Sequence, residues 1–181
     1  LHETFSKRGH VARITDISLD FDAEQNKLHQ ARIAFLAELS PNIVVIEDND
    51  FFHHSAAARS KHEEQEVRAH VTSIIEAIKK KGEPVTADEL AKLVGLSEGS
   101  HAVAIASISK QLATLNGLWG LAKWPLVNPK NIRDKIYVIL KEHGKHMHFN
   151  DIASAIKDSA FRRKDVTTQA IHNELIKDKR F

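Results

Sequence analysis

A glycine between two amphipathic stretches constrains the fold of this chain more than any other feature. Apolar residues recur at helical spacing over 132–140, and Gly144 then supplies the left-handed residue that commonly ends a helix. A second stripe follows the turn, and Asn150 and Asp151 stand where they would cap its helix; the stripe comprises Phe149, Ile152, Ala153 and Ile156. The pattern predicts a helix-turn-helix.

Two short helices need a third to close a core, and residues 167–176 supply one through Ala170, Ile171 and Leu175. The run 179–181 then reads as the edge of a strand. Because the chain starts at Leu1 and stops inside this run, we expect a fragment whose last β-wing is truncated.

The same template recurs twice upstream, which makes an internal repeat the main architectural prediction. A shift of 62 positions places Gly82 on Gly144 and Leu90 on Ile152, and a further shift of 73 positions places Gly9 on Gly82. We therefore expect a mainly α fold with small β-wings, made of three tandem winged helix-turn-helix units.

The first unit, 1–54, is predicted to hold a remnant of helix one over 1–8, helix two at Ile14–Leu19 and helix three over 23–39. The predicted core face of helix three comprises Leu28, Ile33, Phe35, Leu36 and Leu39. A hairpin then pairs Ile43–Ile46 with the run 51–52 around a polar turn. Residues 55–65 lack apolar periodicity and are predicted to be a linker, or a polar lead-in to the next helix.

The second unit, 66–126, carries a capping-box pattern at Thr86 and Glu89 and a helix three predicted over 102–115. Asn116 and Gly117 form a tight-turn dipeptide ahead of a wing strand at Leu118–Leu121. Trp119 and Trp124 are predicted to pack in the core or between units and not to stack on bases. The third unit is 127–181.

Composition narrows the function classes. Of 181 residues, 42% are hydrophobic and 28% charged, typical of a globular chain, and no apolar run is long enough for a membrane span or signal peptide. The absence of cysteine suits a reducing cytoplasm.

No nucleophile motif or phosphate-binding glycine loop occurs, so we expect no enzyme, cofactor or small-molecule substrate. The 12 histidines lack zinc-site spacing, so no metal site is expected.

Charge is unevenly distributed along the chain. Residues 1–60 carry 6 Lys and Arg against 9 Asp and Glu, residues 61–128 carry 8 against 8, and residues 129–181 carry 12 against 7. The last segment, at +5, alone has the sign expected of a surface that meets phosphates.

The run GKHMHFNDIASAI, followed by VTTQAIHNELIKDKRF, resembles the HARE-type winged helix-turn-helix family over 129–181. That family occurs in the delta subunit of bacterial RNA polymerase, in eukaryotic chromatin proteins and in restriction-modification proteins. The run from Trp119 to Gly144 is similar to the C-terminal half of bacterial sigma-factor-like proteins. Two departures are His146, where a proline is common, and the missing second wing strand. The resemblance implies a DNA-associated transcription module in the cytoplasm.

If the third unit binds double-stranded DNA, its third helix enters the major groove. The side chains expected to contact bases are Thr168, Gln169, His172 and Asn173, since Gln and Asn can pair with adenine and Thr can contact a thymine methyl. The expected phosphate contacts are Arg162, Arg163, Lys164 and Lys177. The alternative is an interaction module that docks on the RNA polymerase core or a regulator without touching DNA, which would suit the acidic first unit and the neutral second unit.

Overall fold

The computed structural model describes residues 10–19, 27–59 and 64–181, and within these ranges it contains eight helices and two small antiparallel sheets. About half of the described residues are helical, so the predicted combination of helices with small antiparallel sheets is present. No helix in these ranges has both the length and the apolar character needed to cross a bilayer. The predicted helix over 1–8, Gly9 and the start of the helix predicted over 23–39 lie outside the described residues.

The first unit combines two helices with a three-stranded sheet. Its elements are β1 (Val11–Arg13), α1 (Ile14–Leu19), α2 (Lys27–Glu38), β2 (Ile43–Ile46) and β3 (Ser55–Ala58). The strand order is β1-β3-β2, and both pairings are antiparallel. The helix predicted at Ile14–Leu19 is confirmed.

The predicted hairpin partner, 51–52, is wrong, and the predicted linker is wrong over Ser55–Ala58, which form β3. Strand β2 pairs with β3, with Ile46 opposite Ser55, and Phe52 instead bridges to Ser109. Strand β3 is buried along its whole length because Ala56 packs into one hydrophobic cluster and Ala57 into another. A strand enclosed on both faces accommodates small residues, and these gave no apolar signal in the sequence.

The predicted core face of α2 is also wrong. Of its five residues, only Ile33 is buried, where it packs beside Ala34 and Ala37. The other four are exposed: Leu28, Phe35, Leu36 and Leu39. The helix thus meets its unit through a narrow stripe of mostly small side chains, and the larger ones face outward.

The second unit contains α3 (Glu64–Lys81), α4 (Ala87–Val94), α5 (Gly99–Ser107), β4 (Leu112–Leu115) and β5 (Leu118–Leu121). The capping box is confirmed: the Glu89 N–H donates to the Thr86 hydroxyl, and the Thr86 N–H donates to the Glu89 carboxylate at 3.0 Å. The tight turn is confirmed, with φ values of 50° at Asn116 and 78° at Gly117 that fit a type I′ hairpin turn.

The helix predicted over 102–115 is too long, because α5 ends at Ser107 and β4 begins at Leu112. The helix ends at Ser107 because the backbone of Ile108 and Lys110 forms hydrogen bonds with the first unit. The His53 N–H donates to the Ile108 carbonyl at 2.8 Å, and the Lys110 N–H donates to the Phe51 carbonyl at 2.9 Å. A tertiary contact therefore overrides the helical spacing.

The first two units share one hydrophobic core. Val11, Ile46 and Phe52 of the first unit are completely buried in the cluster formed by α3, α4 and α5. Arg68 lies over the rings of Phe51 and Phe52, with its guanidinium carbon 4.9 and 4.8 Å from the two ring centres. Trp119 belongs to the same core and Trp124 packs against it, as predicted.

The third unit is a bundle of α6 (Ile132–His143), α7 (Phe149–Asp158) and α8 (Thr168–Lys177) around the buried residues Ile136, Ile152 and Ile171. His148 caps α7 by accepting from the Asn150 N–H through Nδ1 at 3.3 Å, so Asn150 and Asp151, the other candidate caps, lie inside the first turn. The strand predicted over 179–181 is wrong. The chain makes a turn there, in which the Arg180 guanidinium donates to the Asp178 carboxylate at 2.7 Å.

Gly82 and Gly144 each directly follow a helix and have the same local conformation. Both have positive φ, 78° and 73°. Each donates its N–H to the carbonyl four residues earlier, Gly82 to Ile78 at 2.9 Å and Gly144 to Leu140 at 3.0 Å.

The hairpin β4–β5 joins the second unit to the third. Leu115 packs against the core of the third unit, and Asn116 donates to the Glu142 carboxylate at 2.8 Å. The outer side of this predicted wing therefore contacts the third unit and is not free.

Candidate nucleic-acid interface

Helix α8 is held firmly against the bundle by groups at both of its ends. The Thr167 hydroxyl caps it by accepting from the Ala170 N–H at 3.1 Å, and Ile171 anchors it in the core. The Arg133 guanidinium lies 3.0 Å from the Glu174 carboxylate and ties α8 to α6. These contacts fix which side of α8 faces outward.

The four residues expected to contact bases all lie on that outward side and are exposed: Thr168, Gln169, His172 and Asn173. Gln169 donates from Nε2 to Oδ1 of Asn173 at 3.1 Å. The His172 ring meets the Phe149 ring edge-on, with centroids 5.4 Å apart. The two amides and the imidazole are therefore oriented by neighbours before any ligand arrives.

Ile176 belongs to the same face and was missed by the sequence analysis. It is 72% exposed and stands four residues after His172, hence directly above it on the helix surface. The helical spacing of positions 168, 172 and 176 places Ile176 on this face and could have identified it from the sequence. A branched apolar side chain there can contact a thymine methyl in a major groove or an apolar patch on a protein.

The four expected phosphate contacts lie at both ends of α8 and do not form one patch. Arg162, Arg163 and Lys164 are exposed in the loop before the helix, and Lys177 is exposed in its last turn. Lys177 lies nine positions after Thr168, which is roughly 14 Å along a helix. The polar face is thus flanked by positive charge on each side.

The loop that carries the three cations is shaped by Lys135, another residue that the sequence analysis missed. Lys135 is only 5% exposed, and its Nζ donates to the carbonyl of Arg163, which has a left-handed φ of 56°. Burial lowers the pKa of Lys135, the Arg163 charge lowers it further, and Asp165 acts in the opposite direction. A buried ammonium therefore fixes the backbone at the centre of the cationic loop.

Arg162 also lines a cleft of about 500 Å³ where the three units meet. Arg13, His53 and Lys110 line the same cleft, and burial together with the Arg13 and Lys110 charges lowers the pKa of His53. The charge is partly balanced, because Asp48 lies 2.8 Å from Lys110. The cleft is consequently less cationic than its count of basic residues suggests.

The acidic residues of the first unit lie partly in the described ranges. Glu47, Asp48 and Asp50 are exposed near the Lys110 contact, whereas Asp20 and Asp22 lie outside those ranges. Within 10–19, 27–59 and 64–181, no group of three or more metal-ligating side chains is close enough to hold an ion. His143, His146 and His148 are all exposed.

No protein-family model matches this chain, and no curated protein or solved structure is significantly similar to it.

Proposed function

We propose that the chain is a DNA-binding transcription module of tandem winged helix-turn-helix units, in which the third unit contacts duplex DNA through α8. The exposed face of α8 carries the proposal. It combines oriented amide side chains with cations at both ends, and these are the groups that read bases and hold phosphates. We further propose that the protein is a cytoplasmic, sigma-factor-like or RNA polymerase-associated bacterial protein, on the resemblance of 119–181 to such chains.

The tandem arrangement is supported by the order of elements in each unit. In the second unit, a helix, a left-handed glycine, a capped second helix, a third helix and a hairpin follow one another. The third unit repeats the glycine, the capped second helix and the third helix. In the first unit, the described elements α1, α2 and β2–β3 follow the same order.

A second function, docking on RNA polymerase or a regulator without DNA contact, is favoured by Ile176. An isoleucine with most of its surface exposed on a helix face resembles the anchors of protein interfaces. The separation of Lys177 from the other three cations points in the same direction.

Fluorescence anisotropy with a labelled duplex tests the first proposal. The variant with Arg162, Arg163, Lys164 and Lys177 replaced by Gln is expected to lose duplex binding at about 50 mM salt, because phosphate contacts supply most of the affinity. A matched control replaces Lys79, Lys80, Lys92 and Lys123, exposed lysines of the second unit, by Gln. Equal binding by the two variants would favour docking on protein.

A further inference from the structure

The cleft of about 500 Å³ where the three units meet has basic side chains on several walls, and no carboxylate among the described residues that line it. Arg13 comes from β1, Lys110 from the segment between α5 and β4, and Arg162 from the loop before α8. Its volume lies within the roughly 300–1,000 Å³ range of small-molecule sites. The chain thus brings positive charge from all three units to one concave surface.

The carboxylates that partly balance these cations lie outside the cleft. Asp48 is 2.8 Å from the Lys110 ammonium and Asp16 is 3.5 Å from Nε of Arg13, but neither carboxylate lines the cleft. The bond to Asp48 leaves two of the three ammonium hydrogens of Lys110 without an acceptor among the described residues. Arg162 is exposed and forms no ion pair with any described residue. Lys110 and Arg162 therefore keep donors for an anion.

A buried hydroxyl lies among these cations. Ser109 lines the cleft and is only 1% exposed. Its oxygen accepts from the Gln111 N–H at 3.1 Å, whereas its hydroxyl hydrogen has no acceptor among the described residues. A buried donor without an acceptor is destabilising, and an oxyanion in the cleft would satisfy it. A double helix is too wide to enter a cleft of this volume, so a group that reaches Ser109 belongs to a small molecule.

His53 is the side chain of the cleft whose protonation responds to an anion. Burial lowers its pKa from the ordinary 6.5, the Arg13 and Lys110 charges lower it further, and Asp48 and Asp16 act in the opposite direction. The imidazole is therefore mostly neutral near pH 7. An anion beside Arg13 and Lys110 would offset both charges and raise the pKa of His53, so binding would be accompanied by proton uptake.

We propose that this cleft binds the phosphate group of a small phosphorylated molecule, with Arg162 and Lys110 on its oxygens and the Ser109 hydroxyl donating from the buried side. The guanidinium fork matches the spacing of two phosphate oxygens, and the ammonium supplies a compact charge. The site does not rest on DNA binding, since Arg162 is its one residue among those expected to contact DNA.

Pyrophosphate serves as the probe, because it presents phosphate oxygens without a sugar or base. It is titrated into the isotope-labelled 181-residue chain at constant ionic strength, and amide shifts are followed by NMR. We expect saturable shifts at Ser109, Lys110 and Arg162, with a dissociation constant of about 1 mM or below from several charge-assisted hydrogen bonds. The pKa of His53, followed through its ring C–H shifts, should rise. No saturable shifts at these residues, or an unchanged pKa of His53, would overturn the site.

A pair of loop variants separates this site from general attraction to basic residues. Arg162→Gln should weaken pyrophosphate binding about tenfold, because it removes a charged donor from the cleft. Lys164→Gln is the matched control, since it removes one charge from the same loop outside the cleft, and it should change affinity less than about twofold. Both side chains are exposed, so both variants should fold like the parent. Equal losses in the two variants would overturn the site.

A titration with a short DNA duplex separates a small molecule from DNA as the source of the phosphate. The duplex should leave the Ser109 amide unshifted, whatever shifts it causes in α8. The same Ser109 shift from the duplex as from pyrophosphate would overturn the assignment to a small molecule. Pyrophosphate shifts without any duplex binding would support the cleft and contradict only the proposed function.

Discussion

Gln169 donates a hydrogen bond to Asn173 one turn further along α8, over 3.1 Å between Nε2 and Oδ1. The Asn173 oxygen thereby accepts one hydrogen bond, and the NH₂ group of this exposed side chain remains a donor. The Gln169 oxygen remains an acceptor. The pair therefore acts as one recognition unit in the proposed DNA complex.

The double substitution Gln169→Ala with Asn173→Ala is expected to change sequence preference, because the two amides are the groups best suited to read base edges. Discrimination between preferred and random duplexes should fall by about 1–3 kcal/mol for each base that is no longer read. Selection from a random duplex library, followed by anisotropy on single sites, measures this. Arg162→Ala with Arg163→Ala is the contrasting variant, and it should weaken all sequences alike. A uniform loss of affinity from the amide variant would contradict its reading role.

Replacing Gly144 by Ala should destabilise the third unit by about 1–2 kcal/mol, because an L side chain is strained at the φ of 73°. A Cβ at this position would contact nothing within 4 Å, so the cost is one of backbone conformation alone. Gly144→Asn should cost less, since asparagine tolerates the left-handed region. Urea unfolding measures both variants, and equal stability of the alanine variant and the parent would contradict the left-handed turn.

Phe52→Ala should destabilise the first and second units together, by about 3–5 kcal/mol, because this completely buried ring fills a core that both units share. Hydrogen exchange should quicken at Val71, Ile74 and Ile78 of α3 as well as in β3. Leu36→Ala on the exposed side of α2 is the control and should have little effect. Unchanged protection in α3 would mean that the two units unfold independently.

The Glu89 capping bond should make stability depend on pH. The Thr86 N–H, followed by the Lys81 ammonium, lowers the pKa of Glu89 from 4.5 to about 2. A carboxylate with a lowered folded-state pKa stabilises above its unfolded value and loses this effect as pH falls through the folded value. Parent and Glu89→Gln should therefore differ in Tm at pH 7, and the difference should shrink from pH 4.5 towards pH 2. A difference that grows on acidification would contradict the capping box.

The features that depend on neighbouring residues are predictable from the sequence. The turn at Asn116 and Gly117, the capping box at Thr86 and the helix stops at Gly82 and Gly144 are local, because one residue's φ or one short-range hydrogen bond decides each of them. The buried stripes of α6 and α7 were found because both faces repeat at helical spacing.

The features decided by distant residues could not be predicted in this way. Leu112 and Leu115 keep helical spacing with Ile108. The hydrogen bonds of Ile108 and Lys110 with the first unit end the helix, and β4 then pairs with β5. Strand β3 has only small residues and is buried in a different cluster on each face, so its sequence shows no alternation of large apolar and polar residues. Lys135 gave no sign that it would be buried under the Arg163 loop.

The salt dependence of duplex binding by the 181-residue chain tests the proposed function most directly. If the four cations around α8 neutralise four phosphates, the logarithm of affinity should fall against the logarithm of salt with a slope of about −3.6. Affinity should then drop roughly 150-fold between about 50 and 200 mM salt. An affinity that does not change with ionic strength, or no binding at about 50 mM salt, would contradict the proposal that the third unit binds DNA.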